Sequence, residues 1–101
     1  MNTNLGEIIA SRHIDCDSYD ASGVDIQIGK PRQFEDSEDY YIVYQISGLG
    51  KVTVSSVGGV DSIQCLQLVM KAISADLWRL GEAEGKRLRW NGSDEDLGFP
   101  V

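Results

Sequence analysis

Residues 58–80, GGVDSIQCLQLVMKAISADLWRL, read as two glycines, a capping carboxylate and one amphipathic helix long enough to cover a small sheet. Asp61 is a preferred N-cap, because its carboxylate accepts from amides that the first turn leaves orphaned. Gln64 stands three residues on, at capping-box spacing. Val60 holds the position of a hydrophobic staple. At about 100° per residue, Ile63, Leu66, Val69, Met70, Ile73, Leu77 and Leu80 fall on one arc. Cys65, Ala72 and Asp76 lie at its margin, and Gln64, Gln67, Lys71 and Ser74 lie opposite. Gly81 is the expected left-handed residue past the helix, with Arg79 in the last turn at the negative end of the dipole. Trp78 and Leu68 sit off the arc, and the apolar tail Leu97-Gly98-Phe99-Pro100-Val101 is placed to fold back over one of them.

The rest of the chain supplies strands that need such a cover. Residues 5–16 alternate: Ile8, Ala10, Ile14 and Cys16 share one parity, and Arg12 interrupts the apolar face, as at an edge or a bend. The polar run at 17–23 predicts a hairpin loop. Val24, Ile26 and Ile28 alternate with Asp25 and Gln27 in a half-buried strand. Pro31 confines any pairing beyond it to an edge. Phe34 and the acidic group Glu35, Asp36, Glu38 and Asp39 form a solvated connection. Tyr40-Tyr41-Ile42-Val43-Tyr44-Gln45-Ile46 has aromatic and β-branched residues on both parities, the pattern of a central strand covered on both faces. Gly48-Leu49-Gly50 turns into another half-buried strand, in which Val52 and Val54 alternate with Thr53 and Ser55. Residues 82–85 read as a loop, Leu88 and Trp90 as a short last strand, and Asn91-Gly92-Ser93-Asp94 as a turn.

The order β-β-β-β-α-β makes the first four strands an antiparallel meander. The last strand, placed beside the first, is antiparallel to it and gives the spatial order 5-1-2-3-4, the preferred arrangement; placed beside the fourth it is parallel. The expected fold is α+β in two layers, an antiparallel sheet of about five strands with one long helix on one face. A chain of 101 residues builds one core, so residues 1–101 are expected to form a single domain. The outer sheet face is then polar or an interface, and Tyr40, Tyr41 and Tyr44 favour an interface.

The net charge of −7 argues against nucleic acid and anionic membrane, both of which need clustered Lys and Arg, and it permits a basic protein partner. No apolar run reaches the roughly 20 residues of a membrane span. The N-terminus lacks the basic and apolar regions of a signal peptide, so the cytoplasm is the expected compartment. There, Cys16 and Cys65 read as two thiols, a disulfide being the weaker reading.

Every catalytic template fails. His13, the one histidine, would point to the opposite strand face from Cys16. Asp15, Asp17 and Asp20 begin like a calcium loop, but Asp20 and Ile26 stand where its glycine and glutamate belong. Two cysteines and one histidine make a poor zinc set. Neither glycine pair matches a phosphate cradle. No catalytic residue, metal or cofactor is expected. Asp76 at the helix margin needs a partner, with Arg12, Arg87 or Arg89 available.

At Gly58-Gly59-Val60-Asp61, with Gln64, Leu66, Leu68, Ile73, Ala75, Asp76 and Leu77, and at Leu88, Trp90 and Asp96-Leu97-Gly98-Phe99-Pro100, the chain resembles a family of small uncharacterised bacterial proteins. Tyr40-Tyr41, Tyr44-Gln45-Ile46 and Gly48-Leu49-Gly50 resemble its central strand and turn. The resemblance covers the last two-thirds of the chain. It implies a bacterial source and a domain that stands alone, and it brings no activity.

Three functional readings follow. The first is a non-catalytic protein-binding module, accessory or immunity-type, with an acidic surface. The second is a small-ligand or enzyme domain with a pocket between helix and sheet, Asp76, Trp90 and the arginines at its rim. The third is a homodimer through the sheet face. The residues singled out for binding are Asp76, Trp78, Tyr41, Tyr44 and Trp90.

Overall fold

A computed structural model describes residues 4–17 and 22–100. Most of the hairpin loop expected at 17–23, with Asp20, lies outside the described residues, as do the first three residues and Val101. The elements are β1 (Ile8–Cys16), β2 (Val24–Gly29), β3 (Arg32–Gln33), β4 (Tyr40–Gly48), β5 (Lys51–Gly59), α1 (Ser62–Glu84) and β6 (Leu88–Arg89).

All ladders are antiparallel, and the sheet order is β6-β1-β2-β4-β5. This is the order that places the last strand beside the first. The two-residue β3, which follows Pro31, pairs with the start of β4 and makes the sheet six-stranded. A one-residue register shift between Ile8 and Ala10 puts a bulge at the start of β1.

The helix covers one sheet face. Val24, Ile26, Ile28, Ile42, Tyr44 and Ile46 from the strands meet Cys65, Val69, Ile73 and Leu77 from α1, with Ile14, Leu88 and Leu97 closing the core at the β1 side. Each such aliphatic side chain, fully buried, contributes about 1.5–3 kcal/mol relative to exposure. Helix and sheet meet closely, for the cavity between Met70, Phe99 and strands β1 and β2 holds only about 70 Å³. Gly59 permits this closeness at the other end, since a Cβ there would stand 3.0 Å from the Cys65 amide.

The N-cap is as the sequence predicts. Asp61 accepts from the Gln64 amide at 2.8 Å, and the Gln64 side-chain oxygen accepts from the Val60 amide at 2.8 Å. The staple does not form, because Val60 is exposed. The helix runs past Gly81 through residues 82–84, expected as loop, and its left-handed cap is Gly85 (φ 62°). Gly81 is instead buried inside the helix. Its carbonyl accepts from the Lys86 amide, and Leu88 packs where a side chain would stand. Arg79 is therefore one turn short of the end. The buried stripe reaches further to one side than the expected arc: Cys65, at its margin, is fully buried, whereas Ile63 is 61% exposed. Nothing among the described residues covers Ile63.

β5 departs from expectation in the same sense. Thr53, Ser55 and Val57 pair opposite Ile46, Tyr44 and Ile42 and so share the helix-facing side, which leaves Val52 and Val54 on the outer face, 68% and 45% exposed.

Candidate functional site

Of the five residues singled out from the sequence, two meet. Tyr44 projects from β4 toward the helix, and its hydroxyl donates to Asp76 Oδ2 at 2.5 Å. Arg79, one turn further along α1, donates to Asp76 Oδ1 at 2.6 Å. The expected partners Arg12, Arg87 and Arg89 are engaged elsewhere, because the helix faces β4 and β5 at this margin rather than β1 and β6. Burial, then the hydrogen bond and charge of Asp76, push the Tyr44 hydroxyl up to about 12; Ser55 and Arg79 pull weakly the other way. A phenol so placed stays protonated through neutral pH. It can donate a hydrogen bond, and it is a poor base. The chemistry of this pair is that of a tie between helix and strand.

Trp90 belongs to a second cluster. The Arg12 guanidinium lies 4.1 Å over the Trp90 ring and 4.7 Å over the Phe99 ring, and it donates to the carbonyls of Gly98 (2.8 Å) and Leu97 (3.3 Å). Leu97 is buried in the core. Asp96 turns the chain by accepting from the Gly98 amide at 2.8 Å. Gly98 has φ 79°, and a Cβ there would stand 2.5 Å from the Trp90 ring, so only glycine fits. The tail thus folds back, but onto Arg12 and Trp90 rather than over Leu68 or Trp78, which stay 38% and 39% exposed; Pro100 lines an open depression together with Leu66, Leu68 and Met70. Sequence reasoning took Arg12 for an interruption of the apolar face and a candidate partner of Asp76, and missed it as the clamp on the tail. The available signal was an arginine on an apolar strand face in a chain whose tail carries Trp90 and Phe99.

Trp78 is 39% exposed and borders an open depression of about 590 Å³ between the end of α1 and β6. Charged groups of both signs line it, among them Glu82 and the Arg87–Asp94 pair at 3.2 Å. Tyr41 lies on the other sheet face, buried under Phe34 (ring centroids 4.9 Å) and Arg32 (5.1 Å). Arg32 also donates to the Asn4 carbonyl. The outer face is therefore partly closed by the chain itself, and Phe34 is part of that cover rather than solvated. Around His13 this face is polar, with Asp25 at 2.8 Å and Asp15 at 3.4 Å. Both cysteines are free thiols. Burial, with the charge of Asp61, raises the Cys65 thiol above its usual range. Among the described residues, no three His, Cys, Asp or Glu side chains gather as a metal site, and no helix is long and apolar enough to cross a membrane.

A family model described as a domain of unknown function, DUF6968, matches residues 10–101. The chain belongs to the DUF6968 family. The match begins within β1 and so takes in Arg12 as well as the tail it holds, a wider span than the last two-thirds. No curated protein and no solved structure matches the chain. In this DUF6968 member the motif residues Gly59 and Gly98 have steric reasons, and Asp61, Asp76 and Leu97 have bonding or packing ones. Gly58 has neither, since a Cβ there would meet only the Tyr40 carbonyl, at 3.7 Å.

Proposed function

We propose that this DUF6968 chain is a non-catalytic protein-binding module of an accessory or immunity type, working in a bacterial cytoplasm and presenting an acidic surface to a basic protein. The observation that supports this is how the chain uses its charges. Arg12 and Arg32 are drawn onto its own backbone and rings, and Lys51, Arg79, Arg87 and Arg89 onto its own carboxylates. The acidic excess is left outward, most densely in the exposed run Glu35, Asp36, Glu38 and Asp39 between β3 and β4. Such a surface steers basic partners and repels acidic ones.

The test is retention of bacterial proteins on the immobilised chain, compared with a variant carrying Glu35→Lys, Asp36→Lys, Glu38→Lys and Asp39→Lys. The expected result is a basic protein held at about 50 mM salt, released by about 0.5 M salt, and lost in the variant. Equal retention by both chains would remove the acidic-surface reading.

A second reading rests on the depression beside Trp78, whose apolar wall and mixed charges suit a small polar ligand. Amide and indole chemical-shift changes confined to Trp78, Glu82 and Arg87 in a fragment screen would favour it; shifts scattered over the surface would not.

A further inference from the structure

We propose that two copies of this chain join edge to edge through β5, so that one antiparallel sheet runs across both. β5 is nine residues long and pairs only with β4 among the described residues. Leu49 (φ 53°) and Gly50 (φ 78°) form a two-residue turn that closes the Gly48–Lys51 pair. From that pair onward the antiparallel ladder alternates, directing the N–H and C=O groups of Val52, Val54 and Gly58 away from β4. Proteins that keep such an edge single break it with bulges, prolines or charges. Here the register with β4 is unbroken, the strand has no proline, and its one charge, Lys51, lies 3.6 Å from Glu84.

A second copy suits this edge better than a charged partner. The chain carries 16 acidic residues, yet residues 40–60 contain none, and only one lysine. Two acidic molecules repel wherever their carboxylates face each other, and β5 itself carries none, while Glu84 near its end is paired with Lys51. The strand is self-complementary as well. Full overlap about Ser55 sets Lys51 opposite Gly59, Val52 opposite Gly58 and Val54 opposite Ser56, with the two lysines at opposite ends. In that register the two Val54 side chains are diagonal neighbours across the axis, within contact reach. Gly58, which the isolated fold does not require, lies where Val52 of the second copy packs onto bare backbone. The pairing uses no acidic side chain, so it stands or falls apart from the acidic-surface reading.

Sedimentation equilibrium at sub-millimolar concentration tests this on the full chain, on Val54→Pro and on the double variant Val52→Lys/Val54→Lys. Val54→Pro removes an outward N–H and breaks no bond to β4; the lysines guard the edge by charge and keep the fold if proline disturbs it. The expected result is twice the 11.1 kDa chain mass for the wild type and the single mass for the double variant, a loss of at least tenfold in association. A single mass for the wild type overturns the proposal, as does a doubled mass that survives the lysines. Amide exchange adds an independent reading: the Val52, Val54 and Gly58 amides slow as concentration rises. If a dimer forms while these amides stay fast, its interface is elsewhere and the proposal fails.

Discussion

The two sides of the sheet are finished in opposite ways. Beyond β1 the chain closes on itself: β6 pairs with Asp15 and Cys16, Asn91 and Gly92 turn it back with positive φ, and the tail is clamped under Arg12. Beyond β4 the last strand among the described residues is β5, which turns the N–H and C=O groups of Val52, Val54 and Gly58 and two valine side chains outward. One side consumes an arginine, two aromatic rings, a left-handed glycine and a buried leucine to seal the core. Among the described residues, the other has no such seal. The contrast separates residues that the fold requires from residues that remain for binding. By that criterion Arg12, Trp90 and Leu97 are structural, whereas Val52, Val54 and Gly58 are available.

Changes on the closed side should be the most costly. Gly98→Ala places a Cβ 2.5 Å from the Trp90 ring and 2.6 Å from Arg12, at a backbone angle alanine resists, and should cost about 3 kcal/mol or more in urea unfolding. Leu97→Ala opens a cavity in the core and should cost about 2–4 kcal/mol. Arg12→Lys keeps the charge but loses the planar fork between two rings, and about 1–2 kcal/mol with it. If these three changes leave the urea midpoint where it was, the tail is not a clamp.

Tyr44→Phe tests the tie between the layers and should cost about 1 kcal/mol, because Asp76 keeps Arg79. It also has a signature in pH. Burial and Asp76 push the Tyr44 hydroxyl from the ordinary phenol value of 10.0 up to about 12 in the folded chain. Its contribution is thus fully present below pH 10 and is lost as pH rises from 10 toward 12, where the unfolded chain has released a proton that the folded chain keeps. The melting temperature of the phenylalanine variant should fall less steeply over that window. Parallel curves for the two proteins would mean that the tie carries no weight.

The smallest effect belongs to the open side. Val52→Lys/Val54→Lys should move the unfolding midpoint of the dilute chain by no more than about 0.5 kcal/mol, since both side chains already face water. A large loss would mean that the valines hold the monomer together.

What could be read from the sequence follows the same division. The N-cap at Asp61, the central strand and the meander of the four long strands were legible, because short-range chemistry and hairpin connectivity decide them, whereas the helix crossover left the last strand free to join either edge. The helix end was not: Gly81 and Gly85 are both plausible caps until Lys86 and Leu88 fold back onto Gly81. The parity of β5 was hidden because alternating valines signal one buried face, while the helix decides which face that is. It chose the side of Ser55 and Val57. Asp76 and Tyr44 each drew notice separately, but their contact spans 32 residues. Arg12 looked like an interruption because its acceptors, Leu97 and Gly98, lie 85 and 86 residues away.

Residue-by-residue amide exchange in dilute solution tests the contrast most directly. The account predicts slow exchange for the Asp17, Trp90 and Ser93 amides, which donate to Arg87, Ser93 and Trp90, and fast exchange for those of Val52 and Val54. Slow exchange at Val52 and Val54 in the isolated chain, or fast exchange at Asp17 and Trp90, would contradict it.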